Sequence, residues 1–135
     1  MQKNDITVTI PSTADEVQKI QNRIQTFLKR HHFSQDELFA IRLALEEALV
    51  NALRHGNHMD SSNYIRITWR TTKKLFEASI EDEGEGFDQT AVPDPTADTN
   101  LEKSTGRGLL LMRYYMDEVE FNEKGNSVTM RKYRT

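Results

Sequence analysis

Three short segments of this chain place carboxylates, amides and glycines at spacings that suit the binding of a nucleotide. In residues 46–58, EEALVNALRHGNH, Glu47, Asn51 and His55 stand at i, i+4 and i+8. A helix stacks such residues on one face, with neighbouring Cβ atoms about 5–6 Å apart. A carboxylate one turn from an amide oxygen suits a hard cation such as Mg²⁺, which binds few protein oxygens and keeps water beside phosphate. The same pattern also fits a polar face turned to solvent, and His55 reads more simply as a packed or solvated residue than as a ligand. The second segment, Asp82-Glu83-Gly84-Glu85-Gly86-Phe87, closes a predicted strand. Its alternate glycines permit a tight turn and a close approach to a ligand, and a carboxylate at the strand end can accept from an amine such as adenine N6. The third, Ser104-Thr105-Gly106-Arg107-Gly108-Leu109, precedes a predicted helix. Free N–H groups at a helix start suit a phosphate chain, and Arg107 can add a charge-assisted contact. Each segment alone is weakly specific; their order within about 60 residues carries the weight.

The elements that must hold these residues follow from periodicity. Ile6, Val8 and Ile10 alternate with threonines, a half-buried strand ended by Pro11. Ser12 or Thr13 can cap a helix in which Val17, Ile20, Ile24, Phe27 and Leu28 form one apolar face, ending near His31 and His32. Ser34 and Glu37 make a capping box for a second helix with the stripe Leu38, Ile41, Leu45, Leu49 and Ala52, stopped by Gly56. Residues 63–70 and 74–81 alternate as a hairpin, and 119–121 and 128–130 flank Lys124-Gly125-Asn126 as another. A helix is predicted from Gly106 through Met116. Between the glycine motifs, 88–104 holds two of the three prolines and few large apolar groups, which predicts a mobile loop that orders over bound nucleotide. Strands and helices in blocks favour an antiparallel or mixed sheet with helices on one face.

Composition narrows the class of function. The chain has 135 residues, a net charge of −3 with both signs dispersed, and no cysteine. That length suits one domain, the charge does not favour nucleic acid, and the absence of cysteine removes disulfides, thiolate metal sites and a cysteine nucleophile. No apolar run is long enough to span a membrane and the polar start is unlike a signal peptide, so a cytoplasmic protein is expected.

The motifs E-A-x-x-N-A-x-x-H-G at 47–56, D-x-G-x-G-F at 82–87 and T-G-R-G-L at 105–109 resemble the N, G1 and G2 boxes of the GHKL ATPase superfamily, which includes gyrase, histidine kinases and mismatch-repair ATPases. Within it the chain most resembles the stand-alone anti-sigma-factor serine/threonine kinases, over almost its whole length. The resemblance implies an α/β (α+β) two-layer sandwich of the Bergerat type, a mixed, mostly antiparallel sheet covered on one face by helices, with residues 1–135 as a single domain. It implies ATP and Mg²⁺ as cofactors. Glu47 matches the general base, Asn51 the Mg²⁺ ligand, Asp82 the adenine-binding carboxylate, and Gly84 and Gly86 the base-pocket turn. Thr105, Gly106, Arg107, Gly108 and Leu109 match the phosphate-binding segment. The implied partners are a small STAS-type antagonist phosphorylated on Ser or Thr and a sigma factor or similar client. An ATP-binding regulator that transfers nothing is the alternative. A homodimer is left open, with apolar residues of 12–31 or of the first strand as its interface. No phosphoacceptor hairpin is visible before the ATP motifs and there is no room for a transducer domain, so the partner is expected to supply the output.

Overall fold

The computed structural model describes residues 5–57, 60–84 and 104–135, with the backbone alone for 55–56 and 104–107. Strand β1 (Ile6–Pro11) leads into helix α1 (Ala14–Arg30), capped by Thr13, whose side chain accepts from Glu16 N–H at 3.2 Å. Helix α1 closes with a left-handed residue that is not glycine. His32 has φ 62°, while the N–H groups of His32 and Phe33 return to the carbonyls of Lys29 and Leu28. This pair of hydrogen bonds satisfies carbonyls that the helix end leaves open.

Helix α2 (Gln35–Asn51) starts on the expected capping box: Ser34 N–H donates to Glu37 Oε1 at 2.8 Å, and Glu37 N–H donates to Ser34 Oγ at 3.1 Å. Past Asn51 the helix widens into one π-helical turn, Ala52–Gly56, closed by Asn57 N–H on Ala52 O. Strands β2 (Tyr64–Thr71) and β3 (Leu75–Glu81) form the expected hairpin. Helix α3 (Ser104–Tyr115) is followed by β4 (Glu118–Phe121) and β5 (Ser127–Tyr133). The β4–β5 turn uses Gly125 at φ 81°, a conformation glycine adopts without steric cost.

The sheet order is β1-β2-β3-β5-β4, and all four pairings are antiparallel. The sheet, expected to be mixed and mostly antiparallel, is antiparallel in every described pairing: β3 and β4 run the same way, but β5 lies between them. Register puts Ile67 opposite Ile80 and Trp69 opposite Ala78, with Ala78 opposite Met130 and Ile80 opposite Val128 on the far side. All of these side chains are buried beneath the helices. Pairing the largest side chain with one of the smallest keeps this layer level under α1 and α2. The other face carries paired polar groups: Thr7 with Thr68, Ser79 with Thr129, and Glu77 between Arg70 and Arg131.

The apolar face of α1 turns toward the sheet. Val17, Ile20, Ile24 and Leu28 are all buried, and Ile6 and Val8 pack against the core. Phe27 on α1 and Ile6 and Val8 on β1 are only partly buried, so the apolar surface that the sequence offered for a homodimer keeps part of its exposure. Large exposed apolar side chains also lie at Phe39 on α2 and at Leu110, Leu111 and Tyr114 on α3. Among the described residues no helix is long and apolar enough to cross a membrane.

Candidate functional site

The polar face of α2 is covered by α3. Glu47 and Asn51 stand one turn apart on α2, as their spacing predicts, and both are half-buried. Across the seam lies Gly108, itself buried. A Cβ on Gly108 would fall 3.0 Å from Glu47 Oε2, 3.1 Å from Asn51 Nδ2 and 3.6 Å from Asn51 Oδ1. The carboxylate and the amide therefore converge on one point of the α3 backbone. Glycine leaves the two polar groups in place there, whereas any side chain would press on the space they use.

Helix α3 begins two residues earlier than expected, at Ser104. Ser104, Thr105 and Gly106 consequently open its first turn, where N–H groups have no acceptor within the helix, and Arg107 follows directly. Gly108 and Leu109 lie beyond that turn, and Leu109 is buried. No acidic residue stands in this first turn to offset the positive end of the dipole. The side chains of Thr105 and Arg107 lie outside the described residues, as do Gly86 and the loop 88–103. His55 falls in the π-helical turn, which ends the i, i+4 row carrying Glu47 and Asn51; its side chain is likewise outside the description.

Asp82 follows the last residue of β3, in the middle of the sheet. Its N–H donates to Asn126 O at 2.9 Å, and Asn126 Nδ2 donates back to Asp82 O at 2.9 Å. The carboxylate accepts Gly84 N–H through Oδ1 at 2.8 Å, which closes the Asp82–Gly84 turn. Burial pushes the Asp82 carboxyl above its ordinary value, and the Gly84 hydrogen bond only partly offsets this.

One residue of this region was not foreseen. Asn57, just past the helix stop at Gly56, is wholly buried. Its Nδ2 donates to Ser12 Oγ at 2.7 Å and to Tyr64 O at 3.0 Å, and its Oδ1 accepts from Glu83 N–H at 2.9 Å. The Glu83 carboxylate in turn accepts from Tyr64 N–H. The end of α2, the β1–α1 junction, the start of β2 and the turn after β3 thus meet at one side chain. A polar residue directly after a helix stop was the available signal, but it does not separate a buried hub from a loop amide.

Among the described residues no group of three His, Asp or Glu side chains forms a metal site by itself. The oxygens of Glu47 and Asn51 are nonetheless of the hard type that Mg²⁺ takes when phosphate and water complete its shell.

Comparison with known proteins identifies the family and the fold. The family model for the histidine kinase-like ATPase domain matches residues 10–132. An anti-sigma F factor of Oceanobacillus iheyensis is 29% identical over 136 residues, covering 96% of this chain and 92% of its own length. The serine-protein kinase RsbW of Bacillus subtilis is 29% identical, covering 95% of this chain and 84% of its own. A crystal structure of the RsbU and RsbW domains of Rv1364c from Mycobacterium tuberculosis shares the fold with a TM-score of 0.66 at 16% identity. The match covers 96% of this chain but 32% of that longer one. By sequence and by fold, the chain belongs to the histidine kinase-like ATPase domain family.

Proposed function

We propose that this chain is an anti-sigma-type protein serine/threonine kinase, a single cytoplasmic domain over residues 1–135. It transfers the γ-phosphoryl group of Mg-ATP to a hydroxyl of a small STAS-type antagonist and sequesters a sigma factor or similar client. The observation that carries the reading is the convergence of Glu47 and Asn51 on Gly108 at the α2–α3 seam, in a chain whose relatives are named anti-sigma F factor and serine-protein kinase.

The roles follow from chemistry. A Ser or Thr hydroxyl sheds its proton as it attacks phosphorus, and Glu47 is the carboxylate placed to accept it. Asn51 offers its amide oxygen to Mg²⁺. Bound Mg²⁺ supplies neutralisation of the phosphate charge. Asp82 accepts from the adenine amine, and Gly84 and Gly86 let the backbone approach the base. The free amides of Thr105 and Gly106 face phosphate oxygens, helped by the Arg107 charge, while Gly108 and Leu109 seat the start of α3 against α2.

The test is transfer from labelled ATP to a candidate antagonist, read by the acid stability of the label. Acid-stable label on the antagonist is expected. Glu47→Ala should keep ATP binding and lose about 10²–10⁴ in transfer rate. Acid-labile label on the chain itself, or equal loss of binding and transfer in Glu47→Ala, would remove this assignment.

A further inference from the structure

We infer that Asn57 is a positioning residue for base recognition: it fixes the Asp82–Gly84 turn relative to the end of α2 and so sets the preference for adenine. The inference rests on the reading that Asp82 receives the adenine amine.

A buried primary amide is costly unless its donors and its acceptor are all engaged. Asn57 is 0% exposed and engages both donors and its acceptor. Its orientation has only one consistent solution. Ser12 Oγ donates to the carbonyl of Asn63 at 2.9 Å, so it must accept from position 57. Tyr64 O can only accept and Glu83 N–H can only donate, so the nitrogen and the oxygen of the amide are assigned by their neighbours.

The Glu83 N–H held by Asn57 lies between Asp82 and Gly84, whose own N–H binds the Asp82 carboxylate. On the opposite side, Asn126 grips the backbone N–H and C=O of Asp82. The turn is therefore clamped from two sides. Without the Asn57 clamp it can pivot on Asn126, and hydrogen bonds to a base weaken steeply as they leave good alignment. An aspartate at 57 keeps the acceptor for Glu83 but has no hydrogen for Tyr64 O or Ser12 Oγ, so its similar size is no substitute.

Calorimetry on the full chain with ATP, GTP and Mg-tripolyphosphate tests this, comparing wild type with Asn57→Ala and Asn57→Asp. Both variants are expected to lose about tenfold in the ATP-over-GTP ratio, a loss on the scale of one well-made hydrogen bond. Tripolyphosphate affinity is expected to stay unchanged. The ratio is the deciding readout, because a destabilised but folded protein weakens for all three ligands alike. An unchanged ratio, or an equal loss for all three, overturns the inference. If neither variant folds, Ser12→Ala removes the far acceptor of the Asn57 amide, along with its own hydrogen bond to Asn63 O, and is expected to lower the ratio by a smaller factor; no change in it again overturns the inference. A wild-type chain without adenine preference overturns the base-pocket reading and this inference together. A wild-type preference retained in the variants overturns the inference alone.

Discussion

Gly108 lies against the Glu47 carboxylate so closely that a methyl group on it would stand 3.0 Å from Oε2. Alanine at 108 must therefore displace Glu47 or Asn51 by a few tenths of an ångström. In a helix interior the same change returns about 0.5–1 kcal/mol of backbone entropy. For Gly108→Ala we expect a melting temperature close to that of the wild type, with clear losses in Mg-ATP affinity and transfer rate. Thermal melts and calorimetry on one preparation check both halves, and unchanged affinity and transfer would mean that the seam plays no part in binding.

Asp82 sets recognition against stability. Its carboxyl is raised above the ordinary 3.8 by burial, so ionising it costs the folded state. For an acid with a raised folded value, stability is fully present below the ordinary value and is lost as pH rises through the raised one. Asp82→Asn keeps an acceptor for Gly84 N–H and removes the ionisation. We expect the variant to be more stable at pH 7 without nucleotide, to lose the decline just above pH 3.8, and to lose preference for ATP over GTP. Denaturant titrations across that range and nucleotide competition provide the measurement.

Glu77 acts in the opposite direction. Burial works to raise its carboxyl, but hydrogen bonds from Arg131 and Arg70 outweigh it and hold the group below the ordinary 4.5. A depressed acid contributes stability that is present above its ordinary value and is lost as pH falls through the folded one. Glu77→Gln should cost about 1–3 kcal/mol at neutral pH, the range for hydrogen bonds to charged groups. It should also flatten the acid limb of the stability curve below pH 4.5. Urea titrations at several pH values decide it.

His32 holds a left-handed backbone at φ 62° to close α1. Such a conformation costs a residue with a Cβ about 1–2 kcal/mol, and glycine avoids it. We expect His32→Gly to raise stability by about 1 kcal/mol in chemical denaturation, partly offset by the extra freedom of glycine in the unfolded chain.

Local pattern was enough for much of the fold. The alternation of Ile65, Ile67 and Trp69, the Ser34–Glu37 box and the stop near His31 each depend on neighbours within one turn or one strand, and each stands where the pattern put it. The one-turn spacing of Glu47 and Asn51 was legible for the same reason. Periodicity does not distinguish i+4 from i+5 over a single turn, so the widening at Ala52–Gly56 was hidden. The early start of α3 was hidden too, because two glycines oppose a helix locally and only packing against α2 sustains one. Asn57 required knowledge of which strand ends converge on it, and that is a property of the whole sheet.

The strand order bears on how the molecule assembles. β3 sits between β2 and β5, and the β3–β5 and β1–β2 ladders join positions about fifty residues apart, as in Ile80 with Val128 and Ile10 with Ile65. Loop closure on that scale must be completed before those contacts are gained, which places the chain among the slower folders of its size. Glu47 and Gly108, likewise distant in sequence, meet only where α2 and α3 pack together. On the proposed function, a nucleotide held at that seam would bind the native state alone, so it would slow unfolding in proportion to its occupancy and leave the folding rate as it was.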